Sequence, residues 1–150
     1  MSYKEVQGTR GPRKNFAVTC GLRVGYGADA QTHSVETAIE AVLGWMKGRA
    51  AAEKTFLTGT VTSGEVVYAW PESPGKAGGG REPNIIFSGE VSPLYNETII
   101  EDHDSVMDIL YDLATALGSA LSQTRIYVAY CDEVVVVQKE EAVTPTGETV

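Results

Sequence analysis

Between Phe16 and Gly25 every second position carries a bulky apolar side chain or a thiol. Phe16, Val18, Cys20, Leu22 and Val24 share one side of the segment, and Ala17, Thr19, Gly21 and Arg23 share the other. A period of two over this length specifies a strand with one face in a core. Two later segments follow the helical period instead. Ser34 is a good N-cap, Glu36 suits the first turn, and Val35, Ala38, Ile39, Val42 and Met46 recur at helical spacing up to Gly48. A second helix is predicted from about Asp102–Ser105, with Val106, Ile109, Leu110, Leu113, Leu117, Ala120 and Leu121 as its buried stripe.

The remaining segments read as strands. Thr55–Thr62 and Glu65–Trp70 would meet at Ser63-Gly64 as a tight hairpin, and Pro71–Pro83, with three prolines and the run Gly78-Gly79-Gly80, reads as a mobile loop. Asn84–Val91 is a further strand, closed by the turn Ser92–Asn96, and Thr124–Gln138 is one long strand or two separated by a bend at Asp132-Glu133. The order β-α-β-β(-β)-α-β predicts an α+β domain of ferredoxin-like order with an extra hairpin strand, in which the last strand lies antiparallel beside the first. We divide the chain into a basic, flexible arm (1–14), one ligand-binding domain (15–140) and a disordered polar tail (141–150).

Charge and composition narrow the function classes. A net charge of −8 opposes binding to DNA, RNA or anionic membrane. The balance is uneven: Lys4, Arg10, Arg13, Lys14 and Arg23 stand against Glu5 alone in the first 25 residues. Such an arm can pair with the acidic body of a neighbouring subunit, or simply be solvated. No apolar run, Val134–Val137 included, approaches the length of a membrane span, and no apolar leader is visible after Met1. Both cysteines, Cys20 and Cys131, lie in strand-like segments and are expected as buried free thiols in a reducing cytoplasm.

Chemistry-bearing motifs are sparse. Gly25-Tyr26-Gly27-Ala28-Asp29-Ala30 has the letters of a dinucleotide fingerprint, but its helix starts too late, so a glycine-rich turn is the simpler reading. Glu101-Asp102-His103-Asp104 suits helix capping better than metal binding, because consecutive residues splay around a helix. With His33 and His103 the only histidines, a zinc site is not expected. No nucleophile motif and no phosphate loop is present, and no cofactor is implied. Arg23 ends the first strand and Arg125 opens the last, so antiparallel neighbours would bring both to one sheet edge. There an anion could bridge them, or each could pair with a carboxylate. Trp70, Phe87 and Tyr95 offer stacking surfaces, and Asn96 and Thr98 polar contacts for a base or ribose, although strand aromatics such as Phe87 usually belong to a core.

The segments Phe87-Ser-Gly-Glu-Val-Ser-Pro-Leu-Tyr-Asn-Glu-Thr98 and Gln123-Thr-Arg-Ile-Tyr-Val128, with the acidity and two-helix order, resemble the phage anti-Thoeris signal-sequestering proteins. The resemblance implies a cytoplasmic, non-enzymatic homo-oligomer that holds a cyclic ADP-ribose isomer, or another cyclic nucleotide, without cleaving it. It places base and ribose contacts on Phe87, Tyr95, Asn96 and Thr98 and phosphate contacts on Arg23 and Arg125. Two rival readings stand beside it. One is an interaction protein assembling through its last strand; the other is a small dimeric ferredoxin-like enzyme using His33 or His103.

Overall fold

The computed structural model describes residues 1–140; the tail assigned to 141–150 lies outside them. Strand β1 (Asn15–Gly21) and the two-residue β2 (Arg23–Val24) precede a 3-10 turn at Gly27–Asp29 and the two-residue β3 (Gln31–Thr32). Then follow α1 (Val35–Ala51), β4 (Thr60–Ser73), β5 (Lys76–Glu90), a short α2 (Pro93–Asn96), α3 (His103–Leu121), β6 (Arg125–Tyr130) and β7 (Glu133–Gln138). The main sheet has the order β4-β5-β1-β6-β7, antiparallel throughout, and β2 pairs with β3 separately. The architecture is α+β. Each pair of strands joined by a helix is separated by one other strand, and the last segment, folded back at Cys131-Asp132, adds β7 outside β6.

The alternation in β1 buries as its period requires: Phe16, Val18 and Cys20 are all but inaccessible, as is Leu22 just beyond. Across the sheet they meet Ile85 and Phe87 of β5 and Ile126, Val128 and Tyr130 of β6, and α3 covers this face. Burial pushes the Cys20 thiol up to about 11, so it is an inert packing group at neutral pH. The expectation of two buried thiols fails at Cys131. It is exposed at the β6–β7 turn, where its φ of +56° makes the reversal.

Both helices start where their caps predict. Ser34 Oγ accepts from the Thr37 amide at 3.1 Å, and Asp102 accepts from the Ser105 amide at 3.1 Å and its hydroxyl at 2.8 Å. The buried side of α1 is rotated from the predicted stripe, with Ala38, Val42 and Trp45 inside and Ile39 partly exposed. On α3, Ala114 is buried where Ala120 was expected. Trp45 explains the rotation of α1. Its indole Nε1 donates to Asp112 Oδ2 of α3 at 2.9 Å, and Arg49 Nη1 reaches the same oxygen at 3.0 Å while its Nε donates to the Thr55 carbonyl at 2.6 Å.

The stretch between Ser63 and Pro83 overturns two expectations. Ser63-Gly64 is not a turn, and Pro71–Pro83 is not a loop: β4 and β5 run through both and reverse at Pro74-Gly75, where Gly75 has φ +79°. The glycines make this ribbon instead of breaking it. A Cβ on Gly78 would sit 2.5 Å from the Trp70 ring and one on Gly80 2.9 Å from Tyr68 Oη, so both rings lie across bare backbone. Only the half of the ribbon from Asn84 onward has β1 as a third strand. The rest is a two-stranded arm on which Val66, Val67, Tyr68 and Trp70 stay exposed.

The Trp45 and Arg49 contacts hold the Asp112 carboxyl below its ordinary value of 3.8, the indole hydrogen bond first. A depressed carboxyl adds stability that is complete above its unfolded pKa and is lost as pH falls through the folded one. Because Asp112 is half exposed, solvent screening reduces the link to about 1 kcal/mol. Asp112→Ala is therefore expected to lower Tm by about 2–4 °C at neutral pH. In paired thermal melts the gap should shrink below pH 3.8.

Candidate functional site

Helices cover one face of the sheet and leave the other open. Directly opposed residues of an antiparallel sheet share a face, so the register reads out the open side row by row. Trp70 and Gly78 form one row, Tyr68 and Gly80 the next, then Val66 and Glu82, then Gly64, Asn84 and Gly21, then Thr62, Ile86, Thr19, Tyr127 and Val136. The polar groups of this face gather around its glycine row. Glu82 Oε1 accepts from Tyr68 Oη at 3.2 Å and lies 3.6 Å from Arg23 Nη1. Tyr68 in turn stacks on Trp70, ring centroids 5.9 Å apart.

Asn84 stands two residues from Glu82 on the same face, between Gly64 of β4 and Gly21 of β1. The absence of side chains on both neighbours makes a trough across three strands. A Cβ on Gly64 would approach Asn84 Oδ1 to 3.0 Å, and one on Gly21 would approach Gln123 Oε1 to 2.7 Å, so two amide oxygens occupy the trough. Gln123 is fixed by donating Nε2 to the Arg23 carbonyl at 2.9 Å and the Leu121 carbonyl at 3.0 Å. Asn84 is 6 % exposed, and its Oδ1 is buried with no hydrogen-bond partner. An acceptor left so costs roughly 1–3 kcal/mol, a cost that a matching donor removes.

The six ligand contacts expected from the sequence do not form one site. Arg23 and Arg125 do share a sheet end, since β6 runs antiparallel to β1 with Tyr127, two residues after Arg125, opposite Thr19, two residues before Gly21. Each, however, has its own partner: Arg23 pairs with Glu82, and Arg125 Nε donates to Gln138 Oε1 at 2.9 Å. Tyr95, Asn96 and Thr98 follow Glu90, which pairs with Asn15 at the opposite end of β1. Seven residues of strand separate the two groups, roughly 20 Å at about 3.3 Å per residue. Phe87 is in the core with its ring 5.5 Å from that of Phe16, and Asn96 is buried with Nδ2 donating to the Phe56 carbonyl at 3.1 Å. Phe87 is thus packed away, and the Asn96 amide already has its partner. Tyr95 and Thr98 are exposed.

Glu82 and Asn84 were missed because they fell at and just after the supposed loop; only the pairing of β4 with β5 puts them on one face with Tyr68. The histidines lie elsewhere. His33 donates its backbone N–H to the Leu22 carbonyl, and His103 packs on Tyr130 with Nε2 3.6 Å from Glu133 Oε1. Among the described residues no group of three or more His, Cys, Asp or Glu side chains is placed to hold a metal ion. No helix among them is long and apolar enough to cross a membrane.

No protein-family model matches the chain, and no curated protein matches its sequence. Solved structures do match its fold. A phage SAM lyase in complex with S-methyl-5'-thioadenosine superposes with a TM-score of 0.61 at 16% identity, covering 92% of this chain and 97% of that one. A phage SAM lyase in the apo state gives 0.60 at 12% identity, over 93% and 98%. The chain thus has the fold of a phage enzyme over nearly its whole length. This overturns the expectation of a non-enzymatic cyclic-nucleotide sponge: the α+β fold stands, but the structures that share it are those of an enzyme that acts on SAM, not of a Thoeris signal-binding protein.

The Tyr68–Glu82 bond has a measurable signature. Desolvation first, then the charge and hydrogen bond of Glu82, raise the Tyr68 phenol above its ordinary value of 10.0, while Arg23 opposes them. In ¹³C-tyrosine NMR titrations, with Tyr68→Phe assigning the resonance, Glu82→Gln is expected to lower the Tyr68 midpoint. An unchanged midpoint would mean that the two groups are not in contact.

Proposed function

We propose that the chain is an enzyme that binds S-adenosylmethionine (SAM) on the open face of its sheet and cleaves it, releasing S-methyl-5'-thioadenosine. The reading rests on the fold shared with a phage SAM lyase that holds this thioether nucleoside, over 92% of the chain. The chemistry of the open face supports it. SAM carries a sulfonium and an ammonium against one carboxylate, and a protein of net charge −8 attracts such a cation. Tyr68 and Trp70 offer aromatic faces to the sulfonium. Glu82 accepts hydrogen bonds from the ribose hydroxyls, as carboxylates do in nucleoside sites. Arg23 fixes Glu82 and brings the positive charge that the substrate carboxylate needs.

In the proposed reaction the bond between sulfur and the γ carbon of the amino-acid chain breaks, and its electron pair stays on sulfur. The sulfonium becomes a neutral thioether, and an oxygen of the substrate's own carboxylate supplies the new pair to the γ carbon as sulfur leaves, closing a lactone that keeps the ammonium charge. No metal or tuned nucleophile is required of the protein. Placement and a dry, complementary surface supply the acceleration. Consumption of SAM by a phage protein would deny it to host enzymes, which gives the anti-defence role a basis that needs no Thoeris signal.

Incubating the purified chain with SAM and following S-methyl-5'-thioadenosine by liquid chromatography tests this. The product should accumulate, and Glu82→Gln should slow its release by about 10- to 100-fold, the worth of one charge-assisted hydrogen bond. SAM recovered intact from the wild type would sink the proposal. The homo-oligomer belongs to the same proposal, since Val67 stays exposed, on the opposite face from Tyr68 and Trp70, on an arm of a kind that is marginal without a partner surface. Sedimentation should find more than one copy per particle, and Val67→Asp should shift it toward the monomer.

A further inference from the structure

Resting on the SAM reading, we infer that Asn84 is the specificity-determining residue of the site, recognising the exocyclic amine of the adenine ring. Its Oδ1 is a buried acceptor without a partner, lying over the bare backbone of Gly64, with Gln123 Oε1 over Gly21 beside it. A buried acceptor in this position calls for an N–H donor. The adenine base has one such group, the 6-amino group. Its ring nitrogens are acceptors, which the Asn84 Nδ2 amide can meet. An asparagine amide matches this donor–acceptor edge of adenine in a bidentate pair.

The neighbouring residues agree with the assignment. Glu82, two residues along the strand, stands about 6.6 Å away on the same face, a separation suited to a ribose next to the base. The charged alternatives for Asn84 are less apt, because the substrate ammonium gains more from a carboxylate than from a neutral amide. Gln123 Oε1, over Gly21, presents a second acceptor across the trough, so the floor is poor in donors and selects against a carbonyl at the same ring position. The two flanking glycines acquire a function here: any side chain at Gly64 would crowd Oδ1 at 3.0 Å.

The test compares S-methyl-5'-thioadenosine with S-methyl-5'-thioinosine, which has a carbonyl in place of the amine, by isothermal titration calorimetry. Wild type should prefer the adenine compound by about tenfold or more. Asn84→Ala should bring the two affinities to within about twofold, by the same reasoning. Should Asn84→Ala not fold, Gly64→Ala serves instead: its methyl crowds Oδ1 and should weaken the adenine compound selectively. Equal binding of both compounds by the wild type overturns the inference, as does a preference that survives in the variant. Failure of the wild type to bind either compound overturns the SAM reading itself, and the inference with it.

Discussion

Strand β1 is bonded on both sides and screened on one. It pairs with β5 along its whole length and with β6 over Phe16–Thr19, and it sets Phe16, Val18 and Cys20 under α3. A strand in that position cannot slip by one residue without turning three core side chains into solvent. The same rule governs its other side: Ala17, Thr19 and Gly21 face outward and are small. The open face is therefore low in relief along the middle of the sheet. The register of β1 thus sets the packed face and the candidate binding face together.

The link between α1 and α3 closes the packed side. A tryptophan that could have been one more apolar contact reaches a carboxylate on the other helix, and Arg49 shares that oxygen while clamping the chain at Thr55. This holds α1 at an angle that a purely apolar stripe would not choose. It explains why Trp45 is buried in preference to Ile39. The opposite face has no such cover. Polar groups there are held by each other, with Arg23 and Tyr68 both on Glu82 and the Asn84 Oδ1 left unpaired. Rigid packing on one side and unsatisfied polarity on the other is the arrangement in which a ligand contributes what the protein lacks.

A trio of glycines shows where sequence reasoning lost its way. Gly78, Gly79 and Gly80 beside three prolines have the composition of a loop, and composition weighs entropy rather than contacts. In the fold, Trp70 and Tyr68 recover the loss by lying over the bare backbone of Gly78 and Gly80, and the long ribbon results. The error carried into function, since Glu82 fell inside the supposed loop. The expected contacts Phe87, Asn96, Tyr95 and Thr98 were drawn from one stretch of sequence near the far end of the sheet. Continuity in sequence suggested a pocket that the length of β1 keeps away from Arg23.

What the sequence determined by itself is local and periodic. The period of two at Phe16–Val24, the helical stripe of α3, the caps Ser34 and Asp102, and the placing of Arg23 and Arg125 at one sheet end all depend on near neighbours or on one simple pairing. The tertiary structure alone decided which distant residues share a face. Glu82 meets Tyr68 and Arg23 because β4, β5 and the segment after β1 converge, and Asn84 is isolated because glycines from two different strands flank it. Such meetings arise from hydrogen-bond register between segments far apart in the chain. No propensity or spacing within one segment carries that information.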